Sequence, residues 1–215
     1  MSNQALVSRL TKLPISQMGL HGGSLCLDFV NTLAWRTSGQ SNDRLQNLDD
    51  LLAWSIYVGL LSPDKVQELY PKSQQDKLLA TEVVEEALLL REAIHRIFSA
   101  ILVHKVPDSI DITRLRTIFA QAVLRADLIN VGKRHVWKMP QQINDLRAIC
   151  WSVSISAIEL ITSEEANRVR VCQNEGCGYL FVDRTRNGSR LWCTSDICGN
   201  RARVRRYYDR NRENK

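Results

Sequence analysis

The sequence predicts an α+β fold that is mainly helical: a helical N-terminal domain with one β-hairpin, then a small treble-clef-like zinc module that ends in a basic helix. Three observations carry this. Apolar residues recur at helical spacing over most of the chain before Ser163. Two cysteine pairs of equal spacing, Cys172/Cys177 and Cys193/Cys198, stand near the C-terminus. An arginine-rich stretch follows the last cysteine directly.

Residues 1–20 read as a loose lead-in ordered by packing, because Pro14 and Gly19 argue against one continuous helix. Leu25 to Ala34 is apolar and ends near Trp35; it reads as a buried helix, with a strand as the alternative. Asp28 and Asn31 would share a face of that helix. Buried polar side chains need partners. The favoured role of the pair is to bond loop backbone; the sharper alternative is a small-molecule pocket that includes Arg36.

Thr37 to Asn47 is polar and reads as a loop. Leu48 to Leu60 follows as a helix that Gly59 ends. Ser62 is an N-cap and Pro63 fits the first helical position, so a helix starts there and stops at Pro71. Gln74 to Val106 is the longest helix, with Leu79, Val83, Glu86, Leu90, Ile94, Ile97 and Ile101 on one stripe. Arg91, His95 and Arg96 read as polar or boundary positions. His95 and His104 read as ordinary histidines, since neither lies in a ligand cluster.

Pro107 and Asp108 break the helix, and Ile112 to Arg125 forms the next. Leu128 to Trp137 reads as a β-hairpin turned at Gly132, made basic by Lys133, Arg134 and Lys138. A last long helix is expected from Gln141 to about Ser163, with Ile143, Leu146, Ile149 and Cys150 on its apolar face. Cys26 and Cys150 read as small buried hydrophobes. Thr162 to Asn167 is a linker into a short strand, Arg168–Val171. The domains are therefore 1–165 and 168–215.

Zinc prefers four soft or borderline ligands in a tetrahedron, and structural sites are closed by four side chains. Each cysteine pair here has four intervening residues, at the upper end of the usual spacing. Gly176 lets the first knuckle fold tightly. Tyr179–Val182 and Leu191–Trp192 read as a hairpin turned at Asn187-Gly188. Ser195 or Asp196 is expected to cap the helix that carries Cys198. Disulfides and metal-free buried cysteines are the weaker readings, because no signal-peptide core precedes the cysteines and the equal spacing repeats. About forty residues bury little core alone, so the metal should supply much of the folding free energy.

Arg201, Arg203, Arg205, Arg206, Arg210 and Arg212 follow the last ligand, and Arg186 and Arg190 extend the positive surface. Arg168 to Lys215 carries 12 basic and 5 acidic residues, whereas residues 1–167 carry 17 and 18. The net charge of +6 thus lies entirely in the zinc module. Segregated, arginine-rich charge is the footprint of a nucleic-acid binder. Asn200 is read as satisfying backbone near the metal, not as reading a base.

Cys198-Gly199-Asn200-Arg201, preceded by Trp192-Cys193, resembles the CGNR zinc-finger family. Gly23 to Leu33, with Leu27, Asp28, Asn31 and Thr32, resembles the opening of the ABATE domain found in these bacterial stress-induced transcription regulators. The resemblance covers nearly the whole chain. It implies one structural zinc on Cys172, Cys177, Cys193 and Cys198, and double-stranded DNA as partner.

The leading reading is a zinc-dependent DNA-binding regulator whose helical domain dimerises, senses a small-molecule effector, or both. A lone helix reads few base pairs, which points to a homodimer. The alternative is a zinc-stabilised protein- or RNA-interaction module. An enzyme acting through Asp28, Asn31 and Arg36 lacks a nucleophile–base pair or a cofactor fingerprint. No apolar run approaches the roughly 18–20 residues that span a bilayer, and the N-terminus lacks a signal-peptide core, so the cytoplasm is expected.

Overall fold

The computed structural model describes residues 3–140 and 144–213. Helices occupy most of the chain up to Ile161, and three two-stranded antiparallel ribbons are set among them.

The lead-in is more regular than expected. Helix α1 (Asn3–Leu10) precedes a 3₁₀ turn (Pro14–Gln17), with Pro14 at the turn's first position. Leu6, Leu10, Ile15 and Met18 are buried, so packing sustains a helix that local propensity left undecided.

Helix α2 (Leu25–Val30) is the buried centre, packed against two longer helices, α5 (Lys77–Leu102) and α7 (Ala148–Ile161). It is only six residues long. The Ser156 hydroxyl of α7 accepts from the Cys26 N–H at its start, 3.1 Å away. At its end, the Thr32 hydroxyl donates to the Phe29 carbonyl at 2.8 Å. The chain then turns into a strand, β1 (Leu33–Ala34), which pairs with β2 (Asn42–Asp43). The single helix expected over Leu25–Ala34 is therefore a helix followed by a strand.

Helix α3 (Leu48–Tyr57) starts at Asn47, whose side chain accepts from the Asp50 N–H, and Gly59 follows its end with φ of +74°. Helix α4 (Pro63–Gln75) starts at the expected Ser62 cap, which accepts from the Lys65 N–H. It does not stop at Pro71. That residue is exposed, and Leu69 and Ser73 on either side of it are buried, so packing carries the helix past one missing N–H.

Arg91 departs from its boundary assignment. It lies on the inward stripe of α5 beside Leu90 and Ile94, only 3% exposed. Two of its donors grip the Asp43 carboxylate at 2.6 and 2.7 Å, and a third reaches Glu92 at 2.9 Å. A planar guanidinium with fixed donors can be buried when each donor finds an acceptor. This ties α5 to the β1–β2 ribbon.

Helix α6 (Ser109–Val123) begins earlier than expected because Asp108 caps it, accepting from the Ile110 N–H at 2.8 Å. A hairpin follows, β3 (Asp127–Val131) and β4 (Arg134–Lys138), turned at Gly132 with φ of +65°. It stands largely exposed. Helix α7 begins at Ala148, later than the expected Gln141. The Asp145 side chain accepts from the Arg147 N–H at 2.8 Å and sets the helix start there. The expectation for 141–143, including Ile143, lies outside the described residues. Cys26 and Cys150 are fully buried, as expected of small hydrophobes.

After a 3₁₀ turn (Glu164–Arg168), strand β5 (Val169–Val171) pairs with β6 (Leu180–Val182). Val169, Leu180 and Val182 are buried in the same core as α2, α5 and α7. The outer edge of β6 is closed by the helical domain. Asn31 donates its amide to the Leu180 carbonyl at 2.9 Å and accepts from the Leu180 N–H at 3.0 Å. The Val182 N–H donates to the Gly22 carbonyl at 2.8 Å. Gly22 lies so close to α2 that a Cβ there would fall 2.8 Å from the Asp28 nitrogen, so only glycine fits.

Asn31→Leu keeps the side-chain volume but leaves two buried backbone groups unpaired, each costing about 1–3 kcal/mol. The variant should be destabilised by about 2–4 kcal/mol in urea unfolding. A loss within error of zero would show that this amide does not tether β6.

Candidate metal centre and basic helix

Strand β5 delivers Cys172 to the start of the first knuckle. Gly176 and Gly178 turn the chain back with φ of +80° and +68°, and the Cys177 N–H donates to the Asn174 carbonyl at 3.0 Å. Strand β6 then carries the chain away from the site.

The return path differs from the expected hairpin. The partner of β6 is β5, not Leu191–Trp192. Asp183, fully buried, organises the intervening loop instead. Its carboxylate accepts from the Thr185 N–H, the Thr185 hydroxyl and the Arg190 N–H at 2.9, 2.6 and 2.9 Å. The glycine of the Asn187-Gly188 turn does adopt a positive φ, +60°.

Arg190, expected on the nucleic-acid surface, is a strut. Its guanidinium lies 4.3 Å from the centre of the Phe181 ring. It donates to the backbone carbonyls of Trp192, Cys193 and His21. It thereby fixes the second knuckle to the segment before α2, and its donors are already engaged. Arg186 is exposed on the loop.

The second knuckle enters a π-helical turn (Ser195–Gly199) that carries Cys198. Neither Ser195 nor Asp196 caps it; the residue at its start is Thr194, which makes no side-chain cap. Asn200 donates to the Asp196 carbonyl at 2.7 Å, the backbone role expected of it. Gly199 packs against the Trp192 ring, where an added Cβ would lie in ordinary contact at 3.4 Å.

The four sulfurs of Cys172, Cys177, Cys193 and Cys198 lie within 4.8 Å of one another, and all four residues are buried. Cys177–Cys193, Cys177–Cys198 and Cys193–Cys198 are 3.8, 3.7 and 3.5 Å apart. A tetrahedron with metal–sulfur bonds of about 2.3 Å has edges of about 3.8 Å. The Cys193 N–H points at the Cys172 sulfur, 3.4 Å away, a donor suited to a thiolate. The hydrogen bond with Cys172, together with burial, pushes the Cys177 thiol up from its usual range. Bound zinc supplies the positive charge that lets four thiolates share so small a volume. Donor type, number and spacing fit one structural zinc. Among the described residues, no other group of three or more His, Cys, Asp or Glu is gathered so.

From this anchor, helix α8 (Asn200–Glu213) runs outward, packed mainly on the π-helical turn. Arg201, Arg203, Arg205, Arg206, Arg210 and Arg212 are all exposed. Helical spacing puts them on two faces, and the structure shows what each face meets. Arg201 stacks over Trp35, with 4.5 Å from guanidinium carbon to ring centre, and Arg205 pairs with Glu175. Arg203, Arg206 and Arg210, on the neighbouring face, line a separate open cleft with Asp209.

The expected pocket residues are engaged within the protein. Asp28 accepts from the Gly22 N–H at 2.8 Å, and burial pushes its carboxyl up to about 6. Asn31 is bound to Leu180, and Arg36 donates to Glu92 at 2.6 and 3.1 Å. Asp28 bonds loop backbone, the favoured role, whereas Asn31 bonds the backbone of strand β6 instead of a loop. Trp35, Asp183 and Glu175 escaped sequence reasoning. Their roles come from contacts with distant segments, and only the Asn187-Gly188 turn hinted at the Asp183 loop.

Residues 23–164 match the ABATE family, described as "Putative stress-induced transcription regulator", and residues 168–211 match the CGNR zinc finger. No curated protein matches the chain in sequence. The ABATE match spans well over half of the chain.

Cys193→Ser should lower zinc content from one per chain to below about a tenth, since apo sites of this class lose their fold. Hydrogen exchange should then show lost protection over residues 193–213, while the Leu180 and Val182 amides stay protected by the helical domain. Full zinc retention would contradict the four-thiolate site.

Proposed function

We propose that this chain, which belongs to the ABATE family and carries a CGNR zinc finger, is a zinc-dependent regulator that binds double-stranded DNA through α8. The zinc-binding regulator follows from the family and the four-cysteine cluster; the DNA contact is the proposal. One observation carries it. A helix with six exposed arginines stands directly on the four-cysteine cluster, while the rest of the chain is nearly neutral.

The helix is poorly stable by its own charge. Arg201/Arg205 and Arg206/Arg210 are like-charged pairs four residues apart, each mildly destabilising. A polyanion turns that repulsion into attraction, and guanidinium forks suit phosphate oxygens and guanine edges alike. Arg203, Arg206 and Arg210, on the face that has no carboxylate or aromatic partner from other elements among the described residues, are the leading DNA contacts, with Arg212 and Arg186 as outer phosphate contacts. Arg190 is left out because the backbone already holds it.

Two copies reading neighbouring half-sites would supply the specificity one helix lacks, so the working form is a homodimer. The cytoplasm, where DNA and reduced thiols coexist, is the proposed location. No described helix is long and apolar enough to cross a membrane. Neither matched family is an enzyme family.

The test is duplex affinity of zinc-loaded protein across a salt series. Each phosphate contact contributes about −0.9 to the log–log slope. Arg203→Ala/Arg206→Ala/Arg210→Ala should flatten the slope by roughly 2.7 if all three touch phosphate. An unchanged slope would remove this face from DNA. Tight binding to RNA or a protein with weak duplex binding would favour an interaction module instead.

A further inference from the structure

A cleft of about 770 Å³ opens where the two family-matched segments meet, between the loop after β1 and the root of α8. The Arg201 and Arg205 side chains form one wall. Ser38 and Gln40 supply a hydroxyl and an amide on the other. Trp35 stands at the back under Arg201, and Glu175 of the first knuckle reaches across to Arg205.

The cleft is held in shape by its neighbours. Trp35 has φ of +58°, in the left-handed region that a bulky residue rarely occupies. The Trp35 carbonyl accepts from the Ser38 N–H and hydroxyl at 3.1 and 2.9 Å, which closes the loop. On the far side, Gly176 approaches so closely that a Cβ would lie 3.0 Å from the Ser38 Cβ. Such strain persists only where surroundings enforce it, and it gathers at ligand clamps. Junctions between domains are also where small-molecule sites concentrate, and this volume suits a nucleotide-sized molecule.

The chemistry of the walls selects the occupant. Two guanidinium groups and one carboxylate line the cleft, and the carboxylate, Glu175, is in an exposed ion pair with Arg205, which contributes little in water. A phosphoryl group offers several acceptor oxygens to two arginine forks and can take the place of Glu175 on Arg205. We infer that the cleft between Trp35, Glu175 and the Arg201–Arg205 face of α8 binds a phosphorylated small molecule, with its phosphoryl group between the two arginines. Occupancy neutralises the root of the basic helix, so the ligand would weaken a nucleic-acid contact made by α8. That regulatory consequence rests on the DNA-binding reading; the anion site does not.

The experiment follows the indole N–H of Trp35 and the amides of Ser38 and Gly176 by NMR, in the zinc-loaded full chain. Inorganic phosphate is titrated against sodium chloride at matched ionic strength. Phosphate should shift these three signals saturably and chloride should not. Arg205→Gln should weaken the apparent affinity at least about tenfold, as loss of a charge-assisted pair does. Glu175→Gln removes the competitor and should tighten binding by roughly two- to fivefold. Asp209→Asn changes the net charge equally on the other arginine face and should stay within about twofold.

A shift linear in salt for every variant would overturn the site. So would equal tightening in Asp209→Asn and Glu175→Gln, because that reports general charge and not displacement. A short duplex is then titrated into the same samples. If duplex but not phosphate moves the three signals, the arginines take a DNA backbone phosphate and the small-molecule site is wrong. If phosphate saturates but the duplex does not bind, the site stands and the DNA-binding reading fails.

Discussion

The structure depends on one carboxamide. Asn31 lies at the end of α2, is 1% exposed, and pairs with both backbone groups of Leu180, 149 residues away. A side-chain amide carries a donor and an acceptor in the geometry of a peptide group. It therefore closes the open edge of β6 as a neighbouring strand would. Gly22 adds the next bond along that edge, and its own N–H is held by Asp28. Asp28 and Asn31, three residues apart on α2, hold this edge of β6 together, Asn31 directly and Asp28 through Gly22. Burial disfavours the charged form of Asp28, so this strand closure has an electrostatic cost that the Gly22 N–H partly offsets.

That closure decides how the zinc module is mounted. Val169, Leu180 and Val182 sit in the main core, whereas the four cysteines form a separate small cluster with Ala34, Tyr179 and Phe181. The module therefore has two supports of different kind. Its ribbon is held by hydrophobic burial in the helical domain. Its knuckles and the root of α8 have little apolar surface of their own, and metal coordination supplies the cohesion. Arg190 joins the two supports by bonding carbonyls on both sides. Arg190 thus ties the second knuckle, which carries α8, to the helical domain.

Arginine serves three different ends in this chain. Arg91 is buried and satisfied by Asp43, Glu92 and Thr32, holding α5 to the β1–β2 ribbon. Arg190 is half-buried and braces a knuckle. Those of α8 remain at the surface. Composition cannot separate these roles, because the same planar donor array suits a carboxylate, a set of carbonyls or a phosphate. What separates them is whether acceptors of the protein itself surround the side chain.

Local chemistry is legible in the amino-acid sequence alone. The Ser62-Pro63 start, the Gly59 end, the hairpin turned at Gly132 and the long stripe of α5 are encoded within a few residues of where they act. So is the zinc site, because each cysteine pair lies on one turn and tetrahedral chemistry permits few arrangements of four thiolates. Helical spacing also places Arg201 and Arg205 on one face of α8 and Arg203, Arg206 and Arg210 on its neighbour. Tertiary structure alone decided the partner of β6, the passage of α4 through Pro71, the burial of Arg91 and the contacts of Arg201 with Trp35 and Arg205 with Glu175. Each of these depends on segments far apart in the chain, whose meeting is governed by burial and by the demand that buried polar groups be paired. A single sequence states what each residue can bond, and the fold determines which acceptor comes within reach.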